Sequence, residues 1–178
     1  MSHVYRSTRH NCVLPTWGGA ILERELHPGL AFGMGVIAGL RSLTAPAVVA
    51  WGAHLEWLHL HASPLAFMAS TWAVILFSAL ALFELVGDLL PMTPKRTAPG
   101  PLAARIITGA LCGACLCASA NQSLPIGAAL GALGAAIGTF AGYQLRKRLV
   151  IGLNVKDIFI ALPEDLIAIG LALFFVTR

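Results

Sequence analysis

Charge is what this sequence has least of. Only 11% of its 178 residues are Asp, Glu, Lys or Arg, against roughly 25% in an ordinary soluble domain. So few charges cannot coat a water-facing surface. Acidic residues number eight, which leaves no acidic tail or solvated acidic face. Two inter-run stretches, Ala53–Pro64 and Asn121–Pro125, contain no Lys or Arg at all. The first thirty residues lack a compact apolar stretch after a basic start, so no cleavable signal peptide is expected. Nucleophile elbows, P-loops and dinucleotide fingerprints are also absent.

Apolar residues fill the space that charge vacates. They make up 57% of the chain, and mean hydropathy is +0.78. Apolar runs of about 20 residues read as membrane-spanning helices. Helices are the open-ended elements that satisfy their own backbone in lipid. The expected fold class is therefore all-α, a polytopic transmembrane helix bundle. Five spans are expected, at about 30–52, 66–90, 102–120, 125–145 and 157–176. Residues 1–29 read as a cytoplasmic N-terminal arm and residues 30–178 as the transmembrane domain. Within the arm, Trp17, Gly18 and Gly19 with the ILEREL stretch that follows are expected to form a short interfacial helix before Pro28.

Net charge is +4, but no face combines basic and aromatic residues as nucleic-acid binding would need. Basic residues fall on alternate loops. Arg6, Arg9 and Arg24 precede the first run; Lys95, Arg96 and Arg105 follow the second; Arg146, Lys147, Arg148 and Lys156 follow the fourth. Positive loops stay cytoplasmic. This gives a multi-pass protein of the bacterial inner membrane, N-terminus cytoplasmic and C-terminus external. Trp51 and Trp57 fit an aromatic belt at the outer mouth.

Small residues set the packing. Gly127, Gly131, Gly134, Gly138 and Gly142 recur along the fourth run, with Gly35–Gly39 and Gly109–Gly113 elsewhere. Such spacing lets helix backbones approach closely. It serves packing within one bundle, and Gly127, Gly131, Gly134 and Gly138 are also candidates for a homodimer face. A weak inverted repeat is suggested: runs one and two mirror runs four and five, with FELVGDLLP set against LPEDLIAIG.

Four of the eight acids, Glu84, Asp88, Glu164 and Asp165, lie inside apolar runs, as does Arg41. A charge in hydrocarbon costs at least ~2.5–3.5 kcal/mol, so it faces a bundle interior or a wet cavity. Glu84 and Asp88 share a helix face. Pro46 and Pro163 are candidate helix breaks, each removing a backbone hydrogen bond beside a charged residue. The five charged residues form the candidate substrate- or ion-binding site of a small carrier or channel for a cation, proton or small solute. Arg41 would be counter-charge or substrate anchor; the plainer reading is a fixed ion pair. No catalytic residue is assigned, and the sequence specifies neither cofactor nor metal.

The rival reading uses Lys95, Arg96 and Arg105 to contact a headgroup or other anion, making a lipid-phosphate flippase or enzyme. A non-catalytic membrane scaffold is the third. Membrane lipid is the expected partner, and nucleic acid is not. Cys112, Cys115 and Cys117 in one run read as small apolar helix residues. His54, His59 and His61 read as solvated loop residues.

GLRSLTAP in the first run, FELVGDLLPMTPKRTAPG across the second and third, and PEDLIAIG in the fifth carry a resemblance. They resemble a bacterial integral-membrane family known as a domain of unknown function, over roughly residues 30–176. The resemblance implies a small prokaryotic inner-membrane protein and a family role for Arg41, Glu84, Asp88, Glu164 and Asp165. It implies no substrate.

Overall fold

A computed structural model describes residues 17–60, 63–87, 99–153 and 158–177. Among these every regular element is helical, and there are no strands. The helices are α1 (Trp17–Leu40), α2 (Thr44–His54), α3 (Thr71–Gly87), α4 (Pro99–Ser119), α5 (Leu124–Leu153) and α6 (Ile158–Val176). A 3₁₀ turn, Ala66–Ala69, precedes α3.

The last four helices coincide closely with the expected apolar runs. The first run does not form one helix. It is divided at Arg41–Leu43 into α1 and α2, and the cause lies four residues downstream. A proline ring clashes with the carbonyl of residue i−4, which for Pro46 is Ser42. Pro46 itself sits in the first turn of α2, where a missing N–H costs little. At the other end of the run, α1 passes through Pro28 without interruption. The expected short interfacial helix is thus the beginning of α1.

Contacts along the helices give their directions. Gly35 packs on Gly131, Gly39 on Ala135 and Gly138, and Gly142 on Leu40, so α1 and α5 run parallel. Gly113 packs on Gly127 and Gly109 on Gly131, so α4 opposes α5. Phe175 covers Gly33 while Asp165 meets Arg41, so α6 opposes α1. Val176 covers Gly52, which sets α2 parallel to α6 and therefore antiparallel to α1.

The first apolar run is thus a re-entrant hairpin: α1 enters the bundle, turns at Arg41–Leu43, and α2 returns to the end it came from. Leu30, Trp57, Ser119 and Val176 line one cavity at that shared end, called the upper end below.

Two expectations change as a result. The start of the first run and the end of the last run lie at the same end of the bundle, where opposite ends were expected. The inverted repeat also fails, because it requires the two glycine-rich helices to be antiparallel. Both corrections have one physical origin, the Pro46-driven reversal.

The centre of the fold is a three-helix contact of α1, α4 and α5. A Cβ on Gly35, Gly113, Gly131, Gly134 or Gly138 would collide with the backbone of a neighbouring helix. All four glycines considered for a homodimer face are consumed inside the chain. Gly127 and Gly131 meet α4, and Gly134 and Gly138 meet Phe32 and Val36 of α1. A second copy would have to use another surface.

Around this centre α2 is buried along nearly its whole length, from Ala45 to Ala53 except Trp51. Local chemistry fixes the upper connections. Asn121 adopts a left-handed φ of 53° after α4, where Asn tolerates that conformation as a helix terminator. Ser70 Oγ accepts the Ala73 N–H at 3.2 Å and caps α3.

Candidate functional site: the charged tip of the re-entrant hairpin

Reversing a chain inside an apolar bundle strands backbone groups, which must find partners. At this tip side chains from α3 and α5 take those backbone groups, and a third helix, α6, pairs with the Arg41 side chain. Glu84 of α3 takes the amides that open α2. The Ser42 N–H donates to its Oε1 at 2.9 Å and the Ser42 hydroxyl to the same oxygen at 2.6 Å. The Leu43 N–H donates to Oε2 at 2.8 Å. A carboxylate at a helix N-terminus is also favoured by the helix dipole.

The closing end of α1 is served from α5. Thr139 Oγ1 donates to the Gly39 carbonyl at 3.1 Å and to its own Ala135 carbonyl at 2.8 Å.

Arg41 follows directly on the last residue of α1, where the dipole favours a cation. Its guanidinium meets Asp165 of α6 through Nε to Oδ1 and Nη2 to Oδ2. This is the planar fork that Arg makes with a carboxylate. Arg41 is 3% exposed and Asp165 8%, so the pair is desolvated.

The tip lies well inside the bundle. Leu40 stands opposite Gly142, and α5 continues to Leu153, about 16 Å further at 1.5 Å per residue. Asp165 likewise lies seven residues into α6, about 10 Å from its start.

Arg41, Glu84 and Asp165, expected from sequence as one site, therefore meet at the tip. Glu164 does not join them. It points toward α5, with its Oε2 3.6 Å from Arg146 Nη1. Consecutive acids on a helix face different neighbours, so one serves the hairpin and the other the α5–α6 contact.

Arg105 is buried at 5% exposure, one turn before the Gly109 that packs on Ala135. It shares the depth of Thr139 rather than lying on an open loop. Asp88, Lys95 and Arg96 lie outside the described residues. Pro163 does not break its helix, because α6 runs through it continuously. Its position near the start of α6 leaves only the carbonyl of residue 159 without an i+4 donor.

Thr139, Ser42 and Arg146 were not singled out as site residues. Thr139 did carry a signal, as the one hydroxyl in the glycine-rich stretch Gly127–Gly142. The other polar motifs serve elsewhere. Cys112, Cys115 and Cys117 are buried and free. His54 Nδ1 meets the Ala69 carbonyl at 3.0 Å, His59 lines the upper cavity, and His61 lies outside the described residues. Among the described residues no three His, Cys, Asp or Glu side chains are grouped to hold a metal ion.

Residues 29–177 match the family model of a domain of unknown function, DUF4126. The chain belongs to this family. The matched region begins with the hairpin and ends with α6, so every residue of the tip and its partners falls inside the DUF4126 domain. No curated protein and no solved structure matches the chain. The family name carries no activity, and any function has to be argued from the tip itself.

Proposed function

We propose that this DUF4126 protein is a small carrier or channel of the bacterial inner membrane, with the hairpin tip as its polar site. In this reading α3, α4, α5 and α6 cross the bilayer and α1–α2 dips into it. The five expected spans become four crossings and one re-entrant hairpin.

Composition of the surface supports the setting. Trp72 is 81% exposed, Phe83 75% and Leu166 75%, and large apolar side chains are exposed along α3, α5 and α6, a surface that suits lipid better than water. Helices α4 and α5 are long and apolar enough to cross a membrane. Arg146, Lys147 and Arg148 cluster at the lower end of α5, which the positive-inside tendency makes cytoplasmic. Both ends of the domain would then be external.

The observation that carries the reading is the buried Arg41–Asp165 pair at an interrupted helix. An ionisable pair at such depth in a membrane bundle points by default to an ion or substrate pathway, and non-helical backbone at depth is tolerated where it lines a polar site. Mechanistically, a proton or cation arriving at Asp165 competes with the guanidinium for the same two oxygens. Its binding frees Arg41, and with it the tip. Glu84 is the scaffold of that tip rather than an ion ligand, since three donors already use its oxygens.

The test is flux in proteoliposomes carrying an imposed proton, sodium or potassium gradient. Wild-type protein should dissipate one of these faster than empty vesicles, and Asp165→Asn should slow it while remaining folded. A folded wild-type protein that passes none of them would end the reading.

A further inference from the structure

We propose that α3 is a gate over the hairpin tip, hinged at its upper end and latched at its lower end by Glu84. The two ends of α3 are held in different ways. At the upper end Ala73 and Val74 are buried and the preceding 3₁₀ turn contributes the fully buried Met68; at mid-helix Trp51 Nε1 donates to Ser78 Oγ at 3.0 Å. From Ile75 onward no described residue of α3 is fully buried. The face toward α2 offers Phe77, Leu80 and Ala81, all half-buried, and then Glu84.

The remaining contacts are as lopsided. Helix α3 packs on α2 and the 3₁₀ turn, whereas α2 also packs on α1, α4 and α6. Nothing like the glycine contacts of the central helices pins α3. Among the described residues its lower half is tied to the hairpin by the half-buried Phe77, Leu80 and Ala81 and by the Ser42 and Leu43 hydrogen bonds to one carboxylate. Those same bonds tie α3 directly to the tip. Releasing Glu84 would swing the lower half of α3 outward and open the tip, with the buried upper end as pivot.

The purpose of such a gate rests on the carrier reading, but its test does not. Spin labels on Val86→Cys and Leu145→Cys report the lower end, and labels on Trp72→Cys and Ile126→Cys report the upper end. All four positions are exposed, and Cys12→Ser removes the thiol of the N-terminal arm. Distance distributions would be measured by pulsed electron resonance in lipid nanodiscs, with and without Glu84→Ala.

The expected result is a longer, broader lower distance in Glu84→Ala with the upper distance unchanged. Both distances unchanged would overturn the gate. Both broadened together would overturn it as well, since α3 would then have lost its packing as a whole. The two proposals separate cleanly. Flux with an immobile lower end keeps the carrier and removes the gate, and a hinged α3 with no flux of any cation does the reverse.

Discussion

Helices α1, α4 and α5 meet backbone to backbone, whereas α2, α3 and α6 are tied to them and to each other largely through side chains. The first group has glycine at its crossing points, so helix position is set by main-chain contact and no rotamer can adapt. The second group has few such contacts and is held by an ion pair, a three-donor cap and aliphatic packing. On the proposed membrane placement, hydrophobic burial gives no net drive between helices, and close approach and polar ties are the remaining forces. This chain divides them between two regions: the rigid one supplies the frame, and the polar one holds the charged tip.

That division can be broken most severely at Gly131, which touches both α1 and α4. Gly131→Val should cost more than about 3 kcal/mol, the upper end of ordinary overpacking, because backbone cannot move aside. Loss of a monodisperse folded species in detergent would be the readout.

Next in size is the tip pair. Arg41→Ala or Asp165→Ala leaves a buried charge and should cost about 3–5 kcal/mol, while the apolar pair Arg41→Met with Asp165→Leu should recover most of it. Thermal unfolding of the two singles and the double gives the coupling directly. Additive losses would mean that the two groups do not depend on each other.

Glu84→Gln keeps one carbonyl acceptor but loses the charge. It should cost roughly 1–3 kcal/mol, the range for hydrogen bonds to a charged group. Thr139→Val removes the hydroxyl from the Gly39 carbonyl and should cost ~0.5–1.5 kcal/mol. The smallest change sharpens the contrast from the other side. A Cβ on Gly170 of α6 meets nothing within 4 Å, so Gly170→Ala should be neutral or raise stability by about 0.5–1 kcal/mol. Gly170 behaving like Gly131 in a melting assay would erase the distinction between the two groups of helices.

Much of the helical layout was legible because composition and run length carry it. Four apolar runs became α3 to α6, with most ends shifted by five residues or fewer and α5 running on to Leu153, past the expected 145. The first run misled because a 23-residue apolar stretch looks alike whether it continues straight or folds back with both arms buried. The decisive letters were Ser42 and Pro46, four apart, but a proline in a long apolar helix need not end it: α1 and α6 run on through Pro28 and Pro163.

The charged residues were recognisable by their cost, whereas their pairing was not. Nothing local tells Arg41 to choose Asp165 over Glu164, since adjacent residues differ only in the helix face they occupy. Glu84 was harder still, because its partners are backbone amides created by the reversal itself. The glycine stripe announced close packing but not its partner, and the partner turned out to lie within the same chain.

The account depends on α1 and α2 sharing one end of the bundle with the end of α6. Cysteines introduced one at a time at Gly29, His59, Gln122 and Thr177, in a Cys12→Ser background that leaves only the three buried thiols of α4, can be labelled with a membrane-impermeant thiol reagent in sealed vesicles of one orientation. All four should react from the same side, and Lys147→Cys only from the other. Labelling of Gly29→Cys from the Lys147 side, with His59→Cys protected there, would mean that the first apolar run crosses once and that no re-entrant tip exists.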